Sequence, residues 1–268
     1  MWSMSIYHSH LEDRTIIRIG GDDRIDFMQN LVTQDVSRPQ SGACVMAALL
    51  TPQGKLLYDF FIYVEDDALL IDCEAAQASA LTKKLTLYKL RADVTIEASN
   101  LEIHALWQEE GLPCPPMSGF YEDPRREGLG LRGFFVALPD TTLPTAPLAD
   151  WHKNRIKQGV PQGAEDMPPG SVFPLEYGLA DMQAIDFQKG CFVGQEVTSR
   201  THRKGKLRKS LQPIMLETAA GDRGDKLLAG ERVGGELVAR AERFGLALIR
   251  EDARDEKLTL NGADIALG

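Results

Sequence analysis

The chain has 268 residues, of which 43% are hydrophobic and 26% charged, and it carries a formal net charge of −9 at pH 7. These are ordinary values for a globular protein. A chain of this length can bury a large enough hydrophobic core to fold without a disulfide bond or a structural metal ion. Its apolar runs fall far short of the ~20 residues of a spanning helix and its N-terminus lacks a secretory pattern, so the sequence predicts a cytoplasmic protein without a membrane partner.

The first half of the chain predicts a mixture of strands and helices. A β-branched strand is broken by two glycines, after which Asp22 or Asp23 can cap a helix. A meander follows, and its first turn contains the Pro and Gly that suit a hairpin. The predicted elements are a strand (14–19), a helix after residue 23, three meander strands (43–50, 55–64, 68–73), a helix (74–90) and two strands (93–98, 101–107).

The second half changes character near residue 206. Before that point the pattern predicts a loop over residues 111–130, a strand over 131–139 and a helix over 149–159 that ends on a glycine. After it, short strand-like runs alternate with turn signals, as in a small all-β module. The sequence therefore predicts an α+β fold, with an α+β domain over 1–205 and a β-barrel module over 206–268.

Cysteine and histidine spacing predicts no metal site. The cysteines are Cys44, Cys73, Cys114 and Cys191. They form no close pair, whereas structural zinc sites usually take paired ligands, so neither a zinc site nor a disulfide framework is predicted. The histidines offer one tight pair, His8 and His10, which we interpret as part of a solvated N-terminal tail.

The densest chemistry lies in residues 186–206. In an extended chain Lys189 and Cys191 would share a face, and nearby positive charge favours the reactive thiolate. Gly190 and Gly194 permit a tight backbone or a close ligand. An amide and a carboxylate that can grip a ring edge follow, at Gln195 and Glu196. On chemistry alone, a buried structural cysteine is the simpler alternative.

A basic strip closes this region. Residues 200–209 hold six Lys or Arg and no acidic residue, although the chain as a whole is acidic. Such a strip is typical of a surface for an anionic ligand or partner, and a solvated turn is the alternative.

The stretch KGCFVGQE, residues 189–196, resembles the signature of the YgfZ family, whose usual form is Lys-Gly-Cys-Tyr-x-Gly-Gln-Glu. Phe192 stands where the family has tyrosine. Four flanking elements resemble the family in register, at 18–37, 51–63, 155–163 and 173–191. The resemblance thus covers nearly the whole chain, which makes it far more specific than a lone glycine pattern.

The resemblance implies a fold and a function. The family is related to the T-protein of the glycine cleavage system, an aminomethyltransferase that uses tetrahydrofolate. It implies a folate site in a central hole of the α+β part, with tetrahydrofolate or a derivative as cofactor. It also implies that the protein interacts with iron–sulfur client or carrier proteins, and that radical-SAM tRNA-modifying enzymes are among the clients. The mitochondrial counterparts of the family act late in four-iron cluster assembly.

The resemblance also assigns roles to residues. Cys191 would be the functional thiol, with Lys189 and Arg200 tuning it or orienting the ligand. Asp59 corresponds to the T-protein carboxylate that assists the reacting folate nitrogen, and an exposed strand residue is the alternative. Lys157 occupies the place of a T-protein glutamate that grips the pterin.

A lysine cannot accept the pterin amino hydrogens, so another acceptor is required. Glu176 and Gln195 are the candidates for it. Arg200, Arg203 and Lys204 would pair with the acidic tails of polyglutamylated folates.

The sequence supports three hypotheses. The first is a folate-binding accessory factor in iron–sulfur assembly or repair, and the second is a tetrahydrofolate-dependent aminomethyl transferase that uses Asp59. Instead of a folate tail, the basic strip could bind an acidic protein that carries iron–sulfur clusters. The third hypothesis, an RNA-binding module, is weaker because the chain is acidic and the strip lacks interleaved aromatic residues, so no direct nucleic-acid partner is expected.

Overall fold

The structure is a computed structural model that describes residues 5–38, 42–138, 142–218 and 220–268. Its strands are β1 (Ile6–His10), β2 (Arg14–Gly20), β3 (Ala43–Leu50), β4 (Leu56–Val64), β5 (Leu69–Glu74), β6 (Thr95–Ala98), β7 (Glu102–Gln108), β8 (Phe120–Glu122), β9 (Leu131–Phe135), β10 (Lys209–Leu216), β11 (Lys226–Ala229), β12 (Arg232–Ala241), β13 (Phe244–Arg250), β14 (Leu258–Leu260) and β15 (Ala263–Leu267). Its α-helices are α1 (Arg24–Leu31), α2 (Ala78–Lys89), α3 (Leu148–Lys157), α4 (Gly163–Asp166) and α5 (Gln195–Lys204).

A five-stranded antiparallel sheet forms the first layer, in the order β3-β4-β5-β2-β6. The predicted meander is confirmed, because β3 pairs with β4 and β4 with β5. Helices α1 and α2 bury Met28, Leu31, Leu81 and Leu85 in the same apolar cluster as one face of this sheet. Asp23 stands at the start of α1, but its carboxylate accepts from the backbone N–H of Asp93 at 2.7 Å.

A second antiparallel sheet has the order β1-β7-β9-β8. The interpretation of the first histidines as a solvated tail is wrong, because β1 pairs along its whole length with β7 and His8 is buried. Ser9 lies on the other face of β1, where its hydroxyl accepts from the Trp107 indole and donates to the Ala146 carbonyl. The predicted strand over 131–139 ends at Phe135, and its last residue lies outside the described ranges.

The C-terminal strands close into a barrel in the order β10-β13-β12-β11-β14-β15. Ten buried apolar side chains, from Ile214 to Leu260, fill its interior. Closure removes the free strand edges that an open sheet would leave. The predicted α+β class with a terminal barrel is confirmed, although the short strands β11, β14 and β15 were not predicted.

A buried ion cluster joins the two sheets. The Asp72 carboxylate on β5 accepts from the guanidinium groups of Arg14 on β2 and Arg132 on β9, and each of these three side chains is 0–1% exposed. Arg132 also lies 3.5 Å from Asp123, which accepts from Arg125 at 2.7 Å. We call these five residues the arginine cluster.

The arginine cluster surrounds one aromatic ring. The ring centre of Phe61 lies 4.1 Å from the Arg132 guanidinium, 4.9 Å from that of Arg125 and 5.4 Å from that of Arg14. The ring face attracts each cation and excludes water from the carboxylates between them. Although burial alone would raise the pKa of Asp123, Arg125 and Arg132 hold it below its ordinary value.

Helix α5 corrects the interpretation of the basic strip. Residues 195–204 form a helix between two glycines with positive φ, so the first cations of the strip lie on a helix rather than in a turn. This helix was not predicted from the sequence, because only one of its residues, Thr198, is buried. The segment therefore lacks the repeating apolar positions that indicate a helix. Within the described ranges, no helix has the length and apolar character needed to span a membrane.

Candidate functional site

The signature begins in a turn. Asp186 accepts the backbone N–H groups of Gln188 and Lys189 at 2.6 and 3.1 Å, an arrangement that bends the chain just before Cys191. The expectation that Lys189 and Cys191 share a face is therefore wrong: the lysine is 6% exposed and the cysteine lies on the surface.

Lys189 ties the signature to the end of α1. Its Nζ donates to the carbonyls of Val32 and Gln34, each at 2.7 Å. Close by, the Thr33 hydroxyl donates to the Ala184 carbonyl at 2.6 Å. Burial lowers the pKa of Lys189 to about 8, and Asp35 and Asp186 oppose that change. These contacts give Lys189 a structural position, and a direct role for it in tuning the thiol stays a prediction.

Cys191 differs from the other three cysteines in exposure. All four are free thiols, with Cys44 half-buried and Cys73 and Cys114 buried. Burial raises the pKa of each of these three, that of Cys73 to about 12, so they stay protonated. An exposed thiol is the one that a partner or reagent can reach. The next residue, Phe192, is buried in the main core, so it anchors the loop by packing and needs no hydroxyl.

Two glycines allow the turn between β3 and β4, residues 51–54, to pack against the start of α5. We call this turn the first hairpin. Gly194 has φ +82°, and a Cβ there would lie 2.5 Å from the Thr51 carbonyl oxygen. Gly54 also has positive φ, and its Cβ would meet Val197 at 3.0 Å. Both positions therefore require glycine for a close backbone approach. The hairpin and the signature, which the sequence indicated separately, form one unit.

Because of this contact, the two glycines of the signature should differ in how well they tolerate an added side chain. We expect Gly194→Ala to lower the free energy of unfolding by more than about 1 kcal/mol, because the new Cβ meets backbone in a left-handed conformation. Gly190→Ala is the matched control: no described atom lies within 4 Å of its Cβ position, and we expect a change within about 0.5 kcal/mol. Urea unfolding measures both variants, and equal losses would contradict the assignment.

One side of α5 lines a pocket of about 420 Å³, which we call the α5 pocket. Phe173, Leu175 and Val197 supply apolar walls, and Glu176 supplies a carboxylate whose side chain is 15% exposed. Burial raises the pKa of Glu176 despite the opposing Lys209 and Arg208. Three cations also line the pocket, namely Lys204, Lys206 and Arg208.

The other predicted ligand residues lie elsewhere on α5. Gln195, Glu196 and Arg203 line a separate cleft of about 480 Å³, which we call the opposite cleft. Arg200 forms an exposed ion pair with Glu196 at 2.7 Å. The structure thus brings Glu176 and Lys204 together and separates them from the remaining predicted contacts.

Asp59 lies in a third place. It is 6% exposed rather than an exposed strand residue, and its carboxylate accepts from the Gly163 N–H at 3.4 Å. Burial raises its pKa, while Arg14, the Gly163 bond and Arg125 oppose the change. Gly163 in turn lines a cleft of about 510 Å³ between α3 and the barrel, which we call the barrel cleft.

Lys157 does not face any of these three spaces. It is exposed on α3, and its Nζ lies 5.5 Å from the ring centre of Phe244 on the barrel. The side chain at this position therefore packs against the barrel. Lys206 and Arg208 were predicted only as members of the basic strip, because their approach to Glu176 depends on the turn between α5 and β10.

The fold is similar to that of a solved aminomethyltransferase. The glycine cleavage system aminomethyltransferase T from Bartonella henselae matches with a TM-score of 0.77, covering 98% of this chain and 85% of that one at 13% identity. This likeness confirms the T-protein-like architecture. Residues 208–267 match the family model described as the C-terminal β-barrel domain of CAF17.

Curated relatives are more similar in sequence. The mitochondrial iron–sulfur cluster assembly factor IBA57 of Mus musculus is 33% identical over 279 residues, which cover 90% of this chain and 77% of the relative. Its Homo sapiens counterpart is 32% identical over 292 residues, covering 96% and 82%. Since these relatives are mitochondrial, the prediction of a cytoplasmic location is contradicted. The more specific YgfZ assignment stays a prediction, and the chain belongs to the IBA57 family of iron–sulfur cluster assembly factors.

Proposed function

We propose that this protein binds a reduced folate in the α5 pocket and acts in iron–sulfur protein assembly through Cys191. The observation that carries the proposal is the position of α5. One side of this helix lines the α5 pocket, and the exposed thiol lies four residues before its first turn. A ligand in the pocket would therefore contact the helix that directly follows the loop with Cys191.

The lining of the pocket matches the three chemical parts of tetrahydrofolate. Glu176 is an acceptor for the amino and ring N–H groups of a pterin, the role that Lys157 cannot fill. Phe173 and Leu175 offer apolar surface to the benzoyl ring. Lys204 and Arg208 offer positive charge to the glutamate tail. A volume of about 420 Å³ is within the usual range of small-molecule sites.

The thiol requires a partner. Four-iron clusters normally take four cysteine ligands, so Cys191 alone cannot hold one. We therefore propose that iron–sulfur client or carrier proteins meet the exposed loop. There are three alternatives for the group that the thiol contacts: a shared cluster, the folate or a thiol of the partner.

Calorimetric titration with tetrahydrofolate tests the pocket. We expect saturable binding that is tighter for the triglutamyl than for the monoglutamyl form, since additional carboxylates meet the cations of the basic strip. Glu176→Gln should weaken both forms. Lys204→Glu should weaken the triglutamyl form about tenfold, which corresponds to about 1.4 kcal/mol.

Arg203→Glu is the matched control. Arg203 is in the same last turn of α5 as Lys204, so the same charge reversal has a similar unfavourable interaction with the C-terminal end of the helix dipole. Its side chain lines the opposite cleft, and we expect it to leave folate binding unchanged. Equal weakening by both reversals, or no binding at millimolar tetrahydrofolate, would contradict the pocket assignment.

One observation favours the transferase alternative. Asp59 is a buried carboxyl with a raised pKa, and Gly163 links it to the barrel cleft. The resemblance to the T-protein assigns the catalytic carboxylate to this position. An aminomethyl transferase would bring the reacting folate nitrogen to this group. Turnover of methylene-tetrahydrofolate with an aminomethyl donor, lost in Asp59→Asn, distinguishes this alternative from the accessory factor.

A further inference from the structure

Three potential metal ligands converge on one face of the four-stranded sheet. His10 on β1 lies directly opposite His104 on β7, and Glu102 precedes His104 by two residues on the same strand. Residues two apart on a strand point to the same face, so all three side chains meet there. One ligand atom from each lies within 4.8 Å of the other two.

His104 is held by its neighbours in one orientation. Its side chain is 4% exposed, and its ring stacks against those of His8 and His10, with ring centres 5.0 and 4.9 Å away. Its Nδ1 lies 2.9 Å from Nε2 of His8, a hydrogen-bond distance. When Nδ1 donates this proton, Nε2 of His104 is left with its lone pair.

The other nitrogen of His104 lacks a hydrogen-bond partner. Among the described residues nothing bonds to Nε2, although this atom is buried. The nearest carboxylate oxygen, on Glu102, is 3.7 Å away and too far for a hydrogen bond. A buried polar atom without a partner destabilises the fold unless a ligand satisfies it.

We propose that His10, Glu102 and His104 bind a divalent first-row transition metal ion. Ligand atoms that share a tetrahedral ion at about 2.0–2.2 Å lie roughly 3.4 Å apart, close to the separation of Glu102 and His104. His10 and Glu102 are exposed and can close the remaining gap by side-chain rotation.

The ligand set identifies the class of ion. Two imidazoles and one carboxylate suit Zn²⁺, Co²⁺ or Fe²⁺ and not the oxygen-seeking Ca²⁺ or Mg²⁺. Three protein ligands leave coordination positions open for water or another group. His8 bonds the second nitrogen of His104 and fixes the ring, as partners of metal-bound histidines generally do.

Cobalt titration followed by visible absorption tests the site. The full chain should carry Cys191→Ser, so that the exposed thiol does not contribute ligands. We expect one equivalent of Co²⁺ to bind with d–d absorption bands and to be displaced by Zn²⁺. His10→Ala and Glu102→Gln change exposed side chains and should each weaken Co²⁺ binding at least about tenfold.

His202→Gln serves as the control. It removes one exposed histidine from α5, outside the proposed ligand set, and should leave the cobalt affinity unchanged. Circular dichroism checks that each variant is folded. Co²⁺ affinity that is unchanged in both His10→Ala and Glu102→Gln, or the absence of binding at millimolar Co²⁺, would overturn the proposal.

Discussion

Asp72→Ala is expected to lower the free energy of unfolding by about 3–5 kcal/mol, since it leaves two buried guanidinium groups without their shared carboxylate. Asp72 is fully buried and accepts from both Arg14 and Arg132. Neither arginine can reach water, because both are buried between the two sheets over the Phe61 ring. Urea unfolding followed by circular dichroism measures the loss.

Asp67→Ala provides a control from the turn before the same strand. Its carboxylate pairs with Arg18 at 2.6 Å but is 81% exposed, so solvent screens the pair and we expect a loss below about 1 kcal/mol. The two variants remove the same group from an ion pair and differ in burial. Similar losses in both would show that the arginine cluster is not a desolvated unit.

Cys191→Ser is expected to abolish the assembly activity while the fold is kept. The thiol is exposed, so its replacement should change the free energy of unfolding by no more than about 0.5 kcal/mol. A serine hydroxyl stays protonated at neutral pH and is a far weaker nucleophile and iron ligand than a thiolate. The measurement is the activity of an iron–sulfur enzyme in cells whose own copy of the protein has been replaced by the variant.

Cys114→Ser makes the same chemical change at a buried position. The Cys114 thiol donates to the Leu106 carbonyl at 3.6 Å, and a serine hydroxyl can keep that bond. We expect cells with this variant to retain the enzyme activity. Full activity with Cys191→Ser would refute a functional role for the Cys191 thiol.

Local pattern was sufficient to predict much of the fold. Alternating apolar residues and Pro or Gly turns predicted the meander and the longer barrel strands, because each depends on neighbours close in sequence. Strand β1 was missed for the opposite reason. His8 and His10 look like surface residues until β7, almost a hundred residues later, covers one of them.

The site was predictable in its residues but not in their grouping. KGCFVGQE identified Cys191, and the structure shows it to be the exposed thiol among the four cysteines. Glu176 and Lys204 were both proposed as ligand contacts, and they meet in the α5 pocket. Lys204 and Arg203 could not be separated in sequence, because the direction of each depends on the helical turn of α5.

The arginine cluster had no signal in the sequence. Its charged members are distributed from Arg14 to Arg132, and each one taken alone is typical of a solvated surface. Their burial depends on two sheets packing face to face, which no local pattern encodes. Asp59 was predicted as a candidate carboxylate, but its burial beside this cluster was not.

The long-range contacts of the signature loop constrain when it can form. Lys189 bonds to Val32 and Thr33 bonds to Ala184, across separations of 157 and 151 residues. Closing such large loops costs entropy that local structure does not offset, which makes these contacts late events in folding. On the ribosome, α1 emerges long before the segment that holds Cys191 in place. The loop around this thiol therefore acquires its shape only after nearly all of the α+β part has been synthesised.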